Sequence, residues 1–174
     1  MATTLQTGER AQRKTLITVA EWGTGNTPDR EILGTRTEDS SIEFNADIET
    51  STDILGITYS DVNKTEPQQD FDPYYLLGGS KLGEYLLQAA LENDIAKYNN
   101  VFNVYVIAAV IDGGSGTTHA YKTVKHTGCS IIPTAIGGDA YVNMPIEVHY
   151  SNNITIGTVD KLSDDFTFTE VSNA

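Results

Sequence analysis

The chain has 174 residues, a length that suits one domain with a core of its own. Its 24 acidic and 11 basic residues give a net charge of −13, which disfavours direct adhesion to nucleic acid or to an anionic membrane. Its single cysteine, Cys129, excludes an internal disulfide, and we expect this side chain to pack as a small buried hydrophobe.

The first part of the chain predicts an arm and then a strand. Residues 1–13 are polar and weakly basic, and they lack the apolar core of a signal peptide, so we expect a flexible N-terminal arm. Residues 14–22, KTLITVAEW, are rich in β-branched side chains and predict the first strand of a single domain over 14–174.

A strand with one apolar and one polar face is predicted at 41–49. Four residues are expected to face the core, namely Ile42, Phe44, Ala46 and Ile48, and four to face solvent, namely Glu43, Asn45, Asp47 and Glu49. The segment 53–59, DILGITY, predicts a further strand that is close enough in sequence to form a hairpin with the first.

A long loop and a helix follow. Residues 59–79 contain few apolar side chains before Phe71, and a loop of this length is usually functional or disordered. Ser80 is a good helix N-cap, and the pattern that follows it predicts a helix over 80–94. Its apolar stripe comprises Leu82, Leu86, Ala89 and Ala90.

The second half of the chain is rich in strands. Residues 101–111 are apolar on both faces and predict a central strand, followed by a turn at 112–116. Further strands are predicted at 119–126, 130–136, 140–150, 154–159 and 165–171. The fold class is therefore mainly β, a sandwich or barrel of about eight strands flanked by one α-helix.

Catalytic and metal-binding patterns are not found in the sequence. His119 and His126 would face opposite sides of a regular strand, and His149 belongs to another strand, so no set of metal ligands converges. The glycine after Ser80 comes one position too late for a nucleophile turn. We expect no enzyme activity, no cofactor and no metal.

Negative charge is concentrated in one stretch. Residues 29–75 contain twelve acidic and three basic residues, and a strand face that carries carboxylates without a catalytic partner indicates a repelling surface. Three aromatic residues, Phe71, Tyr74 and Tyr75, end the polar loop. They could pack the loop onto its own helix, or they could anchor it in a neighbouring subunit, since aromatic residues dominate interface hot spots.

The order of strand, strand, long loop, helix and strand across residues 14–171 resembles a known family. The segments that carry the resemblance are SIEFNADIETSTDILG, NKTEPQQDFDPYYLLGG and VFNVYVIAAVI. They resemble the major tail tube protein of long-tailed, non-contractile bacteriophages. The resemblance implies that six copies close into a ring and that rings stack into a tube, which conducts DNA into the host.

The resemblance also implies partners and a location. The partners would be other copies of the chain and the tape measure, tail tip and tail terminator proteins. Double-stranded DNA would pass through without specific binding, and no membrane would be involved. The location would be the virion tail, assembled in the cytoplasm of the host bacterium.

Particular residues acquire expected roles from this resemblance. Glu43, Asp47 and Glu49 are candidates for the acidic lining of the channel. Candidates for contacts between rings or subunits are Asp61, Lys64, Phe71, Tyr74 and Tyr75. On this interpretation, deletion of residues 61–72 would leave a folded domain that cannot polymerise, and the N-terminal arm would help to bridge rings.

Three alternatives are open from the sequence. The chain could be another virion component, such as a capsid decoration protein or a head-tail connector. It could be a carbohydrate-binding sandwich, with Trp22 and Tyr121 or Tyr141 as exposed aromatic residues. It could also be an enzyme of an unrecognised type, although no nucleophile, base or metal set converges.

Overall fold

The computed structural model describes residues 9–23, 27–112 and 120–171. These residues form eleven strands and one α-helix, with short 3-10 turns at Arg13–Thr15 and Ile95–Lys97. The strands before the helix are β1 Leu16–Trp22, β2 Asp29–Ile32, β3 Ile42–Glu43, β4 Ala46–Thr52, β5 Thr58–Thr65 and β6 Gln68–Phe71. The helix is α1 Lys81–Glu92, and after it come β7 Phe102–Asp112, β8 Tyr121–Pro133, β9 Ile146–His149, β10 Ile154–Val159 and β11 Phe168–Glu170.

The main sheet is antiparallel and curls into a half-barrel. Its strand order is β2-β1-β7-β8-β9-β6-β3, and β10 pairs with both β8 and β11. The curl occurs along β8, because its first half pairs with β7 and β10 whereas its second half pairs with β9. Gly128, with φ of 79°, lies between the two halves, where a left-handed backbone conformation favours glycine. The mainly β fold with a flanking helix is confirmed.

Helix α1 begins and ends as its sequence predicts. The Ser80 hydroxyl accepts a hydrogen bond from the Gly83 amide at 3.0 Å, so Ser80 is the N-cap. The helix ends at Asn93, which adopts a left-handed conformation. Leu82, Leu86 and Ala89 are buried, so the predicted apolar stripe faces the sheet.

Two clusters of buried side chains stabilise the fold. The larger lies between α1 and the curled sheet and includes Trp22, Leu86, Phe102, Ile131 and Met144. The smaller lies on the other face of the sheet, where Val19, Tyr105 and Ile107 pack against Phe166. Cys129 is fully buried in the larger cluster, and burial raises the pKa of its thiol.

The prediction of a single strand at 41–49 is wrong. Asn45 has φ of 43° and interrupts it, leaving two residues in β3 and a separate strand β4. The expected core face is also wrong, because Phe44 is 64 % exposed and Ile48 58 % exposed. Ala46 is exposed as well, and only Ile42 packs against the core.

The prediction of a long loop at 59–79 is wrong for the first half of this segment. Residues 58–65 form β5, which pairs with β4, and residues 68–71 form β6 in the main sheet. The strand predicted at 53–59 is mostly the turn between β4 and β5. These elements lack a regular apolar periodicity because β5 has no buried face and β6 is only four residues long.

The C-terminal strands follow the sequence more closely. Of the residues predicted as two strands, 119–126 and 130–136, residues 121–126 and 130–133 belong to the single strand β8. Within 140–150 only β9 is regular strand, but Met144, Ile146, Val148 and Tyr150 are buried as predicted, whereas Val142 is half-exposed. Most of the predicted turn at 112–116, His119 and residues 1–8 of the predicted arm lie outside the described residues. Among the described residues, no helix is long and apolar enough to cross a membrane.

Candidate assembly surface

The segment 46–65, which we call the projecting hairpin, forms a two-stranded sheet separate from the main one. All its side chains are exposed except those of Asp53 and Thr65, which are half-buried. An isolated two-stranded hairpin is marginally stable in water, because neither face contributes to a core. Its exposure makes it the candidate surface for contact with another molecule.

The two faces of the projecting hairpin differ in chemistry. Side chains directly opposite each other in an antiparallel pair lie on the same face. Ile48 is opposite Val62, and these residues are 58 % and 60 % exposed. Glu49 is opposite Asp61, and Asp47 lies two residues before Glu49 on the same side of β4. Near its base the hairpin thus has an apolar face at Ile48 and Val62 and an acidic face at Asp47, Glu49 and Asp61, and the polar pair Thr50 and Ser60 continues the first face toward the tip.

The acidic face is electrostatically unfavourable for an isolated chain. Two like charges directly opposite each other destabilise a strand pair. The only hairpin cation, Lys64, is opposite Asp47 in the register, but its ammonium binds Glu66 at 2.7 Å. Across the described parts of the chain, no salt bridge reaches Asp47, Glu49 or Asp61. The chain therefore retains a concentrated negative surface at some cost to hairpin stability.

The turn at the tip is well ordered by Asp53. Its Oδ1 accepts hydrogen bonds from the amides of Leu55 at 2.8 Å and Ile57 at 2.9 Å. The Ile57 amide is the main cause of a pKa of the Asp53 carboxyl below its usual value. The turn presents Ile54 and Leu55, which are 102 % and 79 % exposed, to solvent.

The base of the projecting hairpin is closed by hydrogen bonds between its two ends. The Glu66 amide donates to the Phe44 carbonyl at 3.0 Å, and the Asn45 side-chain amide donates to the Glu66 carbonyl at 3.2 Å. Just before this base, Glu43 pairs with Gln68 of β6. Glu43 is therefore separated by Asn45 from the other two predicted lining residues, whereas Asp47 and Glu49 lie together.

The predicted contact residues fall into two groups. Asp61 and Lys64 are exposed on β5 of the projecting hairpin. By contrast, Phe71 is 1 % exposed and Tyr74 5 % exposed, so the expectation that these two anchor a neighbouring subunit is wrong for this structure. Their aromatic rings belong to the core beneath helix α1. Tyr75 is half-buried and packs edge-on against the exposed Tyr141, with 6.4 Å between ring centroids.

Tyr74 is held by polar groups as well as by burial. Its hydroxyl donates to Glu31 at 3.0 Å, and Glu31 also accepts from the Ser80 hydroxyl at 2.8 Å and the Leu82 amide at 3.1 Å. Burial raises the pKa of Tyr74, and the Glu31 carboxylate adds to this increase. Ser80 and Glu31 thus stabilise the start of α1.

The remaining candidate chemistry has structural explanations. Within residues 9–23, 27–112 and 120–171, no three His, Cys, Asp or Glu side chains form a group that could hold a metal ion. His126 hydrogen-bonds the Ser151 carbonyl through Nδ1 at 2.9 Å and packs edge-on against Tyr150. Trp22 and Tyr121 are buried, so the exposed aromatic pair expected of a carbohydrate-binding sandwich is not formed.

Sequence reasoning missed the strand β5, and with it the position of Asp61 opposite Glu49. A signal was present in TYSDVNKT, where Tyr59, Asp61 and Asn63 alternate with Ser60, Val62 and Lys64. Alternation of this kind, with polar residues on both sides, also suits loops, so it becomes informative only when a partner strand is known.

Comparisons with known proteins yield likenesses in fold. No family model matches the sequence, and no curated protein matches it. The structure is similar to that of the PVC sheath/tube terminator of an extracellular contractile injection system, with 12 % identity and a TM-score of 0.47 over 87 % of this chain and 99 % of that one. It is also similar to the tube terminating cap of the anti-feeding prophage, with 14 % identity and a TM-score of 0.45 over 90 % of this chain and 97 % of that one. A PVC sheath-tube complex chain is 13 % identical, with a TM-score of 0.44 over 86 % of this chain and 92 % of that one.

Proposed function

We propose that this protein is a structural subunit of a phage-tail-type tube, and that its copies assemble into rings through the projecting hairpin. The observation that carries the proposal is the hairpin itself, which is exposed on both faces and has an apolar face and an acidic face. The sequence resemblance to major tail tube proteins supports the same role. The ring number of six and the tape measure, tail tip and tail terminator partners belong to this proposal.

Ring closure has a physical basis in the strand edges. In the part of the chain that the structure describes, β4 and β5 pair only with each other, so each has one unpaired edge. Unpaired edges are templates for pairing with another chain. If β4 of one copy pairs with β5 of the next, the contact is heterologous. Such contacts close into a ring when the rotation angle between neighbouring copies is a whole fraction of a full turn. A closed barrel of hairpins then has no free edge.

The acidic face of this barrel would line the channel. DNA carries one charge per about 1.7 Å of helix axis, and a basic lining would hold it through counterion release. Asp47, Glu49 and Asp61, repeated around a ring, would repel the phosphates over about 8 Å at physiological salt. Asp61 is thereby assigned to the channel instead of a contact between rings. Glu43 would lie at the edge of the lining, and Lys64 and Tyr75 are proposed contacts between subunits.

The direct test is negative-stain electron microscopy of the purified protein over a range of concentrations, with its mass in solution measured in parallel. The proposal predicts rings or tubes with an open central channel and a mass that rises with concentration. Compact trimers without a channel would contradict it and favour a capsid decoration protein.

A further inference from the structure

An uncovered apolar groove lies at the base of the projecting hairpin. It has a volume of about 290 Å³ and is lined by Ile42, Phe44, Pro67, Val106, Val124 and Tyr150, with the ring of His126 at one side. Phe44 precedes β4 by two residues, and Pro67 follows β5 by two residues. The groove therefore lies where the hairpin joins the main sheet.

The apolar surface continues from the groove onto β10. Ile156 is opposite Val124 and Ile154 is opposite His126, so all four side chains are on one face of the sheet. Ile154 is 53 % and Ile156 40 % exposed. Lys122, two residues before Val124 on the same side of β8, is exposed and adds positive charge to this surface.

The tip of the projecting hairpin is chemically complementary to the groove and its continuation on β10, but it lies far from the groove of its own chain. It presents the apolar side chains of Ile54 and Leu55 on a hairpin that carries four acidic residues and one lysine. Strand β4 has seven residues, which at about 3.4 Å per residue separates tip from base by about 24 Å. The tip therefore cannot enter the groove of its own chain, and a contact between the two requires a second copy.

We propose that the groove and its continuation on β10 receive the tip of the projecting hairpin from a neighbouring copy of this chain. Ile54 and Leu55 enter the apolar surface, and the carboxylate of Asp53, at the tip turn, lies near Lys122. Because donor and acceptor surfaces are different parts of one chain, the contact is heterologous and propagates from copy to copy. The proposal rests on the assembly role given above and names the surface that completes it.

Cysteine cross-linking tests the contact directly. The test variant carries Leu55→Cys and Ile156→Cys, which replace exposed side chains, and the native Cys129 is fully buried. Leu55→Cys with Leu91→Cys is the matched control, since Leu91 is 74 % exposed on the outer face of α1. Mild oxidation of the test variant should yield a ladder of multimers larger than dimers, which a reductant removes.

The control pair and each single variant should yield dimers at most. A ladder of equal strength from the control pair, or no ladder from the test pair, would overturn the proposed contact. The result is separable from the tube proposal by electron microscopy of the same samples. Tubes without a ladder would leave the tube role intact and reject the groove, whereas a ladder from compact, channel-free particles would support the groove contact and reject the tube.

Discussion

At the scale of single residues, the clearest stabilising group surrounds Glu21. This carboxylate is 5 % exposed and accepts hydrogen bonds from Arg30 at 2.6 Å, Asn103 at 2.8 Å and the Tyr105 hydroxyl at 3.1 Å. The Arg30 guanidinium also lies 4.4 Å from the centre of the Phe166 ring. The group thus joins three strands to the C-terminal segment that covers the smaller core cluster.

Burial alone would raise the pKa of Glu21, but the hydrogen bonds from Asn103 and Arg30, the positive charge of Arg30 and the Tyr105 hydroxyl together lower it. A carboxyl whose pKa is lower when folded stabilises the fold above its unfolded value, near 4.5, and this contribution is lost as pH falls through the folded pKa. Burial of the phenol raises the pKa of Tyr105, and the negative charge of the Glu21 carboxylate adds to this increase.

We therefore expect Glu21→Gln to lower the free energy of unfolding at pH 7 by about 1–3 kcal/mol, because charge-assisted hydrogen bonds are replaced by neutral ones. The loss should shrink as pH falls below the unfolded pKa, near 4.5, and through the lower folded pKa. Urea denaturation at a series of pH values measures both effects. Glu38→Gln, at an exposed position, serves as the control and should change little. A pH-independent loss in Glu21→Gln would contradict the assignment.

At the scale of elements, the projecting hairpin is the part that the fold does not need. None of its side chains is buried, and its two ends are already joined by the Glu66 amide and the Phe44 carbonyl. Replacing residues 46–65 by one glycine would give Phe44-Asn45-Gly-Glu66, and Asn-Gly is the favoured two-residue turn for such a hydrogen-bonded pair. Asn45 already has a positive φ.

We expect this excised variant to fold, with a thermal unfolding transition close to that of the full chain, and to lose assembly. Circular dichroism measures the first property and sedimentation velocity the second. A variant with Ser51→Gly and Thr52→Gly, which keeps the hairpin length, is the control and should assemble. Normal tubes from the excised variant would show that the hairpin is not the assembly element.

The deletion of residues 61–72 expected from the sequence would give a less clear result. It removes five of the eight residues of β5 together with β6, including the buried side chains of Gln69 and Phe71. Loss of a large buried aromatic side chain alone costs about 3–5 kcal/mol. Failure of that variant to polymerise would therefore reflect a damaged core, and the excision at 46–65 is the sharper experiment.

The elements that the sequence predicts well are those with a buried face. Helix α1 is marked by Ser80 and by an apolar stripe, and β1 and β7 are marked by β-branched or continuous apolar residues that the core requires. The position of the hairpin could not be predicted in this way. Ile48 alternates with Asp47 and Glu49, and this alternation is the same whether the apolar face packs on the core of its own chain or on another subunit. Only the position of the strand in the folded structure shows which of these two surfaces the apolar face can contact.

At the scale of the whole molecule, the hydrophobic core is separate from a group of exposed apolar side chains, as expected for a subunit that assembles with others. The helix and the curled sheet form a self-sufficient core, while the exposed apolar side chains of Phe44, Ile48 and Val62 lie on or beside the projecting hairpin. Exposed apolar surface of this kind marks an interaction site. The pairing of Glu49 with Asp61 could be inferred only once the register of β4 and β5 was known.

The measurement that tests the central claim most directly is a cryo-electron microscopy reconstruction of the assembled protein, at a resolution that traces β4 and β5. The account predicts a closed barrel of hairpins in which Asp47, Glu49 and Asp61 face an open channel and Ile48 and Val62 face protein. A reconstruction that places the acidic face on the outer wall, or that leaves the hairpins unpaired in solvent, would contradict it.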